Sequence, residues 1–123
     1  MSWELKSDRP IYTQLIEQLE LRICSGIYPP GSRMPSVRDL AREASVNPNT
    51  MQRALTRLEE DGLLHTSRTS GRFVTEDINL INQTRNKLAQ EQVRIFLKGM
   101  SDLGFENSEI LSILTDTVKE WSI

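Results

Sequence analysis

Residues 34–74 read MPSVRDLAREASVNPNTMQRALTRLEEDGLLHTSRTSGRFV, and this stretch decides the fold. It holds two apolar patterns with helical spacing, at residues 37–44 and 48–61. Two short β-forming runs follow, separated by a turn at residues 68–71. Two short helices followed by a hairpin predict a winged helix-turn-helix, so the expected fold class is mainly α with a small β-hairpin.

The first helix of this pair has a cap and one apolar face. Ser36 is a favourable N-cap residue, and the acidic Asp39 suits the positive end of the helix. Arg38 and Arg42, four positions apart, lie on the exposed side, where they could meet a polyanion. The alternative is a solvated face that pairs with neighbouring acids. The predicted inward residues are Val37, Leu40, Ala41 and Ala44.

The second helix begins at Asn47-Pro48. A residue before proline is pushed out of the helical region, asparagine is a favourable N-cap, and proline fits the first helical position. Amide, guanidinium and hydroxyl groups occupy the outward side, and such groups can hydrogen bond with base edges in the major groove of DNA. The inward residues are Met51, Ala54, Leu55 and Leu58, and the outward residues are Asn49, Gln52, Arg53 and Thr56.

Three acids lie together in the last turn of the second helix. Glu59, Glu60 and Asp61 would repel DNA phosphates, whereas amides and the helix dipole at the other end favour them. The sequence therefore predicts that this helix enters a groove by its N-terminal end.

The hairpin carries positive charge near its turn. Arg68, Gly71 and Arg72 could touch backbone phosphates or enter the minor groove, and Phe73 supplies β-forming bulk. The alternative is an ordinary exposed hairpin that happens to carry two arginines. His65 is expected to be a strand side chain near the surface.

Another helix precedes this stretch, with an apolar stripe at a period near 3.6. Pro10 suits its first turn with Asp8 as the expected cap, and Gly26 ends it. Two prolines and a glycine at residues 28–32 then force a turn. The expected inward residues are Ile11, Leu15, Ile16, Leu19 and Ile23, and the expected outward residues are Gln14, Glu17, Gln18 and Arg22.

The composition excludes several classes of protein. The 123 residues fit one ordinary domain with an appendage, and they contain neither an export signal nor an apolar run of roughly 18 residues. We therefore expect a cytoplasmic protein with no membrane partner. One cysteine, Cys24, expected to be a core thiol, and one histidine leave no disulfide framework, zinc site or catalytic constellation. Neither an enzyme nor a cofactor is expected.

Charge is unevenly distributed, although the net charge is only −2. Residues 1–75 hold ten Lys/Arg and nine Asp/Glu, whereas residues 76–123 hold five and eight. Within residues 32–75, seven arginines stand against five acids, three of which share one helix turn. A basic binding face is therefore compatible with an acidic chain. We assign residues 1–75 to a DNA-binding domain and residues 76–123 to a second segment.

Short motifs in a fixed order carry a family resemblance over residues 9–76. They are PIY at 10–12, GIYPPG at 26–31, PSVRDLA at 35–41, VNPNT at 46–50, LEEDGL at 58–63 and GRFV at 71–74. Together they resemble the winged helix-turn-helix of the GntR family of bacterial transcription regulators. The short two-helix tail is similar to that of the YtrA-like branch.

The resemblance implies DNA contacts at matching positions. Arg38 corresponds to a phosphate- or base-contacting arginine, and Gly71 to the glycine at the tip of the wing. Thr69 departs from the family, which usually has a second glycine there, and Arg72 replaces a frequent small residue. Both Arg68 and Arg72 are expected to contact the backbone. The second helix of the pair corresponds to the family's recognition helix. Its start matches contacting positions at Asn47, Asn49, Thr50 and Gln52, with Arg53 beside them.

The tail, residues 76–123, contains two helical patterns, about residues 80–103 and 108–122, interrupted at Gly104 with Asn107 as the expected cap. Two helices cannot bury both apolar faces alone, so a second copy is expected to cover them, as the YtrA-like resemblance also implies. The alternative is that the tail packs as an intramolecular cap on the DNA-binding head, residues 1–75. The expected dimer contacts are Leu88, Ile95, Phe96, Leu111, Leu114, Val118 and Trp121.

These patterns predict a sequence-specific transcription regulator, a repressor that binds double-stranded DNA. A two-fold homodimer places two recognition helices about one DNA turn apart and suits an inverted-repeat operator. The alternative function is a winged-helix module for protein contacts without specific DNA binding. The sequence does not identify a small-molecule effector.

Overall fold

A computed structural model describes residues 2–122 and shows five helices and one antiparallel hairpin. The order of elements is α1 (Ile11–Cys24), α2 (Val37–Ala44), α3 (Pro48–Glu60), β1 (Leu64–Ser67), β2 (Gly71–Val74), α4 (Ile78–Asp102) and α5 (Asn107–Trp121). The mainly α fold with a small hairpin is confirmed. None of the helices in residues 2–122 has the length and apolar character needed to span a bilayer.

The first compact unit ends at Asn86 and has one apolar core. Helix α3 lies at its centre, because α1, α2 and β1 all pack against it. The beginning of α4 belongs to this unit too, since Ile81 is buried in the same core. The Cys24 thiol reaches the Ile81 carbonyl oxygen at 3.8 Å, and burial raises the pKa of Cys24. The side chains with no exposed surface are Leu15, Leu19, Leu40, Met51, Ala54, Leu55, Leu58 and Val74.

Both caps of the helix pair are confirmed. The Asp39 N–H donates to Ser36 Oγ at 3.1 Å, and the Asn49 N–H donates to Asn47 Oδ1 at 2.7 Å. Pro48 is the first residue of α3, as predicted. Each cap satisfies a backbone donor that has no partner inside its helix. The start of α3 is therefore fixed by local hydrogen bonding.

The wing is broader than the sequence suggested, because the connector before α2 lies along β2. In the hairpin, Leu64 pairs with Val74 and Ser67 with Gly71. On the other side, Arg33 forms a bridge with Phe73, and the Met34 N–H donates to the Arg72 carbonyl at 2.8 Å. The connector thus places Arg33 at the edge of the wing.

Three expectations for α1 are wrong. Pro10 is the N-cap, with no side-chain cap bond, so Asp8 does not cap the helix. Gln14 and Arg22 are buried rather than outward. Gln14 Nε2 donates to the carbonyls of Lys6 (2.7 Å) and Arg9 (2.9 Å), so the lead-in segment before α1, residues 3–9, folds over this side of the helix.

Arg22 is covered by the same lead-in segment. Its guanidinium carbon lies 4.0 Å from the centroid of the Trp3 ring, a cation–π contact. The lead-in therefore shields a polar side of α1 that periodicity alone assigned to solvent.

The second compact unit, from Lys87 onward, contains the rest of α4 and all of α5. The expected cap Asn107 is wrong: Glu106 is the N-cap, and its N–H donates to the Glu109 carboxylate at 3.1 Å. Much of its apolar surface is exposed, in residues Val93, Ile95, Phe96, Leu97, Leu103, Phe105, Leu111, Ile113, Leu114, Val118 and Trp121.

Candidate nucleic-acid interface

The outward face of α3 is polar and exposed over its first two turns. Asn49, Gln52, Arg53 and Thr56 are exposed, and Thr50 is half-buried. The Thr56 hydroxyl donates to the backbone carbonyl of Gln52 at 2.9 Å, so this bond does not use the Gln52 side chain. Opposite this face, the inward side of α3 is completely buried, as predicted. The helix therefore presents hydrogen-bonding groups outward from a rigid base.

Asn47 has two tasks at the start of α3. Its Oδ1 is occupied by the cap, whereas its amide NH₂ makes no hydrogen bond within residues 2–122. A carboxamide can accept through oxygen and donate through nitrogen at the same time. Asn47 can therefore cap the helix and still donate to a phosphate or a base.

Four of the seven arginines in residues 32–75 are held by other side chains. Arg53 lies over an aromatic ring and the other three face carboxylates. The contacts are Arg42 Nη1 to Asp39 Oδ1 at 3.7 Å, Arg53 Cζ to the Tyr12 centroid at 4.5 Å, Arg57 Nε to Asp61 Oδ2 at 3.3 Å, and Arg72 Nε to Glu59 Oε1 at 2.5 Å.

The other three arginines, Arg33, Arg38 and Arg68, form no ion pair with any residue in 2–122, and all three are exposed. They come from three different places: the connector, the first turn of α2 and the turn of the wing. A guanidinium without an internal ion pair can bind a phosphate without giving up another charge-assisted hydrogen bond. Among the arginines of residues 32–75, these three are thus the ones with neither an ion pair nor a ring contact within residues 2–122.

The acidic end of α3 is less repulsive than its sequence implies. The Thr66 hydroxyl donates to Glu59 Oε1 at 2.6 Å beside the Arg72 contact. Burial raises the pKa of Glu59, but the hydrogen bonds from Thr66 and Arg72 and the charge of Arg72 outweigh it, so the pKa is lowered. Asp61 is paired with Arg57. Within residues 2–122, Glu60 alone of the three acids has no such partner.

The turn of the wing depends on glycine at position 71. Gly71 has φ +95°, a region that side-chain-bearing residues rarely adopt. A Cβ added there would lie 3.3 Å from Arg33 Nε, so the Arg33 guanidinium lies against this glycine. Behind the turn, the rings of His65 and Phe73 stack with centroids 5.8 Å apart. His65 is exposed, as predicted.

Sequence reasoning missed Arg33. The run from half-buried Ser32 through exposed Arg33 to buried Met34 has the period of a strand, but three residues between a glycine and a proline are too few to predict one.

An open cleft of about 690 Å³ lies between the wing and the start of α2, lined by Arg33, Met34, Pro35, Ser36, Val37, Asp39, Thr66, Gly71 and Arg72.

The family model for bacterial regulatory proteins of the gntR family matches residues 11–74, which is more than half of the chain. The chain belongs to the GntR family. It is therefore a DNA-binding transcription regulator and not an enzyme. The matched residues include α1, the helix-turn-helix and the wing.

Full-length similarity supports this membership. YhcF, an HTH-type regulator of Bacillus subtilis, is 35% identical over 90% of this GntR chain and 92% of its own length. The repressor YtrA of the same organism is 40% identical over 58% of this chain and 55% of its own length.

Solved structures agree with the sequence comparisons. A GntR-family regulator from Listeria monocytogenes has a TM-score of 0.83 and 35% identity, covering 91% of this chain and 98% of its own. The DNA-binding domain of AraR, solved with operator ORE1, has a TM-score of 0.52 and 27% identity, covering 61% of this chain and 94% of its own.

The contribution of the exposed, unpaired Arg38 to DNA binding can be tested in this GntR protein. Arg38→Ala should weaken DNA binding by about 1–3 kcal/mol, because it removes the charge-assisted contact that the resemblance predicts for this position and leaves the core untouched. A gel-shift titration with thermal unfolding as a check on folding measures this. Arg42→Ala is the matched control, since Arg42 lies on the same helix but is paired with Asp39. Equal losses in the two variants would contradict the role of Arg38.

Proposed function

We propose that this protein is a cytoplasmic repressor that binds an inverted-repeat operator as a homodimer. The observation that carries the DNA-reading half is the exposed polar face of α3, flanked by three arginines without an ion pair in residues 2–122. The name of YtrA, a repressor, and the operator complex of AraR support the same function.

We propose that α3 reads the major groove by its N-terminal half. The contacting set comprises Asn47, Asn49, Thr50, Gln52 and Arg53, with Arg38 beside the helix and Arg68 and Gly71 on the wing. Asparagine and glutamine suit adenine, and arginine suits guanine or phosphate. Arg53 would have to leave the Tyr12 ring to reach a base.

We propose residues 76–123 as the dimerisation segment. Support comes from the exposed apolar surface, since Trp121 is 87% exposed and Leu111 is 65% exposed in the single chain. Large contiguous apolar surfaces mark interaction sites. The proposed contacts are Leu88, Ile95, Phe96, Leu111, Leu114, Val118 and Trp121.

Selection from random DNA tests the function directly. Purified protein should recover a two-fold symmetric motif, and its affinity should fall steeply as salt rises, because bound cations are released from the phosphates. An asymmetric motif would contradict the dimer. Binding that is independent of salt, or no enrichment at all, would favour a protein-interaction module.

Asn49 provides a test of base reading. Asn49→Ala should relax the preference at one base position in each half-site, at a cost of about 1–3 kcal/mol on the preferred sequence. Its side chain lies outside the cap, which uses only the Asn49 backbone N–H, so folding should be unchanged. Recovery of the wild-type motif by the variant would argue against this contact. Glu60→Ala, on the last turn of α3, is the control that should keep the motif.

A further inference from the structure

Arg72 and Glu59 form a junction between the wing and the recognition helix. Arg72 Nε donates to Glu59 Oε1, and the Thr66 hydroxyl donates to the same oxygen at 2.6 Å. One carboxylate of α3 therefore holds β1 through Thr66 and β2 through Arg72. The side chains of Arg72 and Glu59 are only 18% and 28% exposed. The pair lies next to the turn of the wing, since Arg72 faces Thr66 one register step from the last pair, Ser67 and Gly71.

Arg33 does not belong to the hairpin but lies beside it, on the edge of β2 that β1 does not occupy. It lies on the connector at the edge of β2, with its guanidinium against Gly71, where a Cβ would come within 3.3 Å of Nε. It is exposed and has no ion pair among residues 2–122. Both arginines line the same cleft, so they differ in their partners more than in their location.

We infer that Arg33 is a DNA-backbone contact at the edge of the wing, and that Arg72 is a positioning residue that holds the wing against α3 through Glu59. This inference rests on the proposed DNA binding. A phosphate that drew Arg72 away would leave the Glu59 carboxylate partly buried without its counter-charge, and that carboxylate would then repel the phosphate. Arg33 loses no internal ion pair when it binds a phosphate.

The structure explains why the two roles separate in this chain. Arg72 stands next to Phe73 on β2 and faces Thr66 across the hairpin. The C-terminal turn of α3 places Glu59 within reach of both. Burial raises the pKa of Glu59, but the bonds from Thr66 and Arg72 and the charge of Arg72 prevail and lower it, so this junction favours the ionised carboxylate. The wing therefore has an electrostatic anchor to α3.

Salt dependence separates the two roles, because each phosphate contact adds about 0.9 to the slope of log affinity against log salt. The probe is a short random-sequence DNA duplex. Arg33→Ala should lower the slope by about 0.9 for each bound protomer. Arg72→Met should weaken binding by the same factor at every salt concentration, which leaves the slope at the wild-type value. A smaller slope in Arg72→Met, or an unchanged slope in Arg33→Ala, overturns the inference.

Glu59→Gln adds a measurement that a purely structural role would not alter. Glutamine keeps the shape and can still accept from Thr66, but it releases the charge of Arg72. The slope should then increase, and the double variant Glu59→Gln/Arg72→Met should return it to the wild-type value. No increase in Glu59→Gln would contradict the anchor. A wild-type protein without a steep slope would instead overturn DNA binding itself, so the two failures are distinguishable.

Discussion

Leu114→Glu should convert the proposed dimer into monomers. The side chain lies on the apolar face of α5 and is 41% exposed in the single chain, so a partner helix would cover it. A carboxylate buried there without a counter-charge costs several kcal/mol, which should raise the dimer dissociation constant by about 100-fold or more. Sedimentation equilibrium should then report the 14.1 kDa chain instead of twice that mass.

Ser112→Glu is the matched control for this variant. Ser112 lies on the same helix and is exposed, but it points away from the apolar face, roughly 160° around the helix from Leu114. The control should remain dimeric with the same added charge. An intact dimer in Leu114→Glu would remove α5 from the interface. Operator affinity should fall when the dimer is lost, because two monomers must then bind the two half-sites independently.

Leu55→Ala should destabilise the head by about 2–5 kcal/mol. Leu55 has no exposed surface and belongs to the core around α3, so truncation leaves a cavity that rigid neighbours cannot fill. The midpoint of urea denaturation, followed by circular dichroism, measures the change. DNA binding should decline only in proportion to the unfolded fraction.

Leu21→Ala is the control for this substitution. Leu21 lies on α1 and is 37% exposed, so the same truncation removes less buried surface and should cost under about 1 kcal/mol. Similar losses in both variants would mean that Leu55 is not at a rigid position. The comparison separates cavity formation from the general effect of replacing leucine by alanine.

The starts and N-caps of α2 and α3 could be predicted, because their signals are local. Ser36 and Asn47-Pro48 fix two helix starts through hydrogen bonds within a few residues. The prediction that Gln14 faces outward is wrong for the opposite reason. Its partners, the carbonyls of Lys6 and Arg9, belong to a segment with no periodicity, so no helical pattern reveals that this segment covers α1.

The candidate site could be predicted by residue type but not by pairing. The polar face of α3 follows from its helical period. The contact of Glu59 with Arg72, thirteen positions apart, depends on how the wing turns back over α3. Counting arginines therefore overstates the charge available to DNA, and only the fold shows that Arg33 is free while Arg72 is paired.

The capped start of α3 has a consequence for how binding preference can change. Asn47, Pro48 and the buried side of the helix determine where α3 begins and how it packs. Asn49 and Gln52 contribute their side chains to neither task. Replacing Asn49 and Gln52 by other residues should therefore change the DNA sequence that the protein prefers, at little cost in stability. The proposed recognition side chains are in this sense replaceable parts of a stable scaffold.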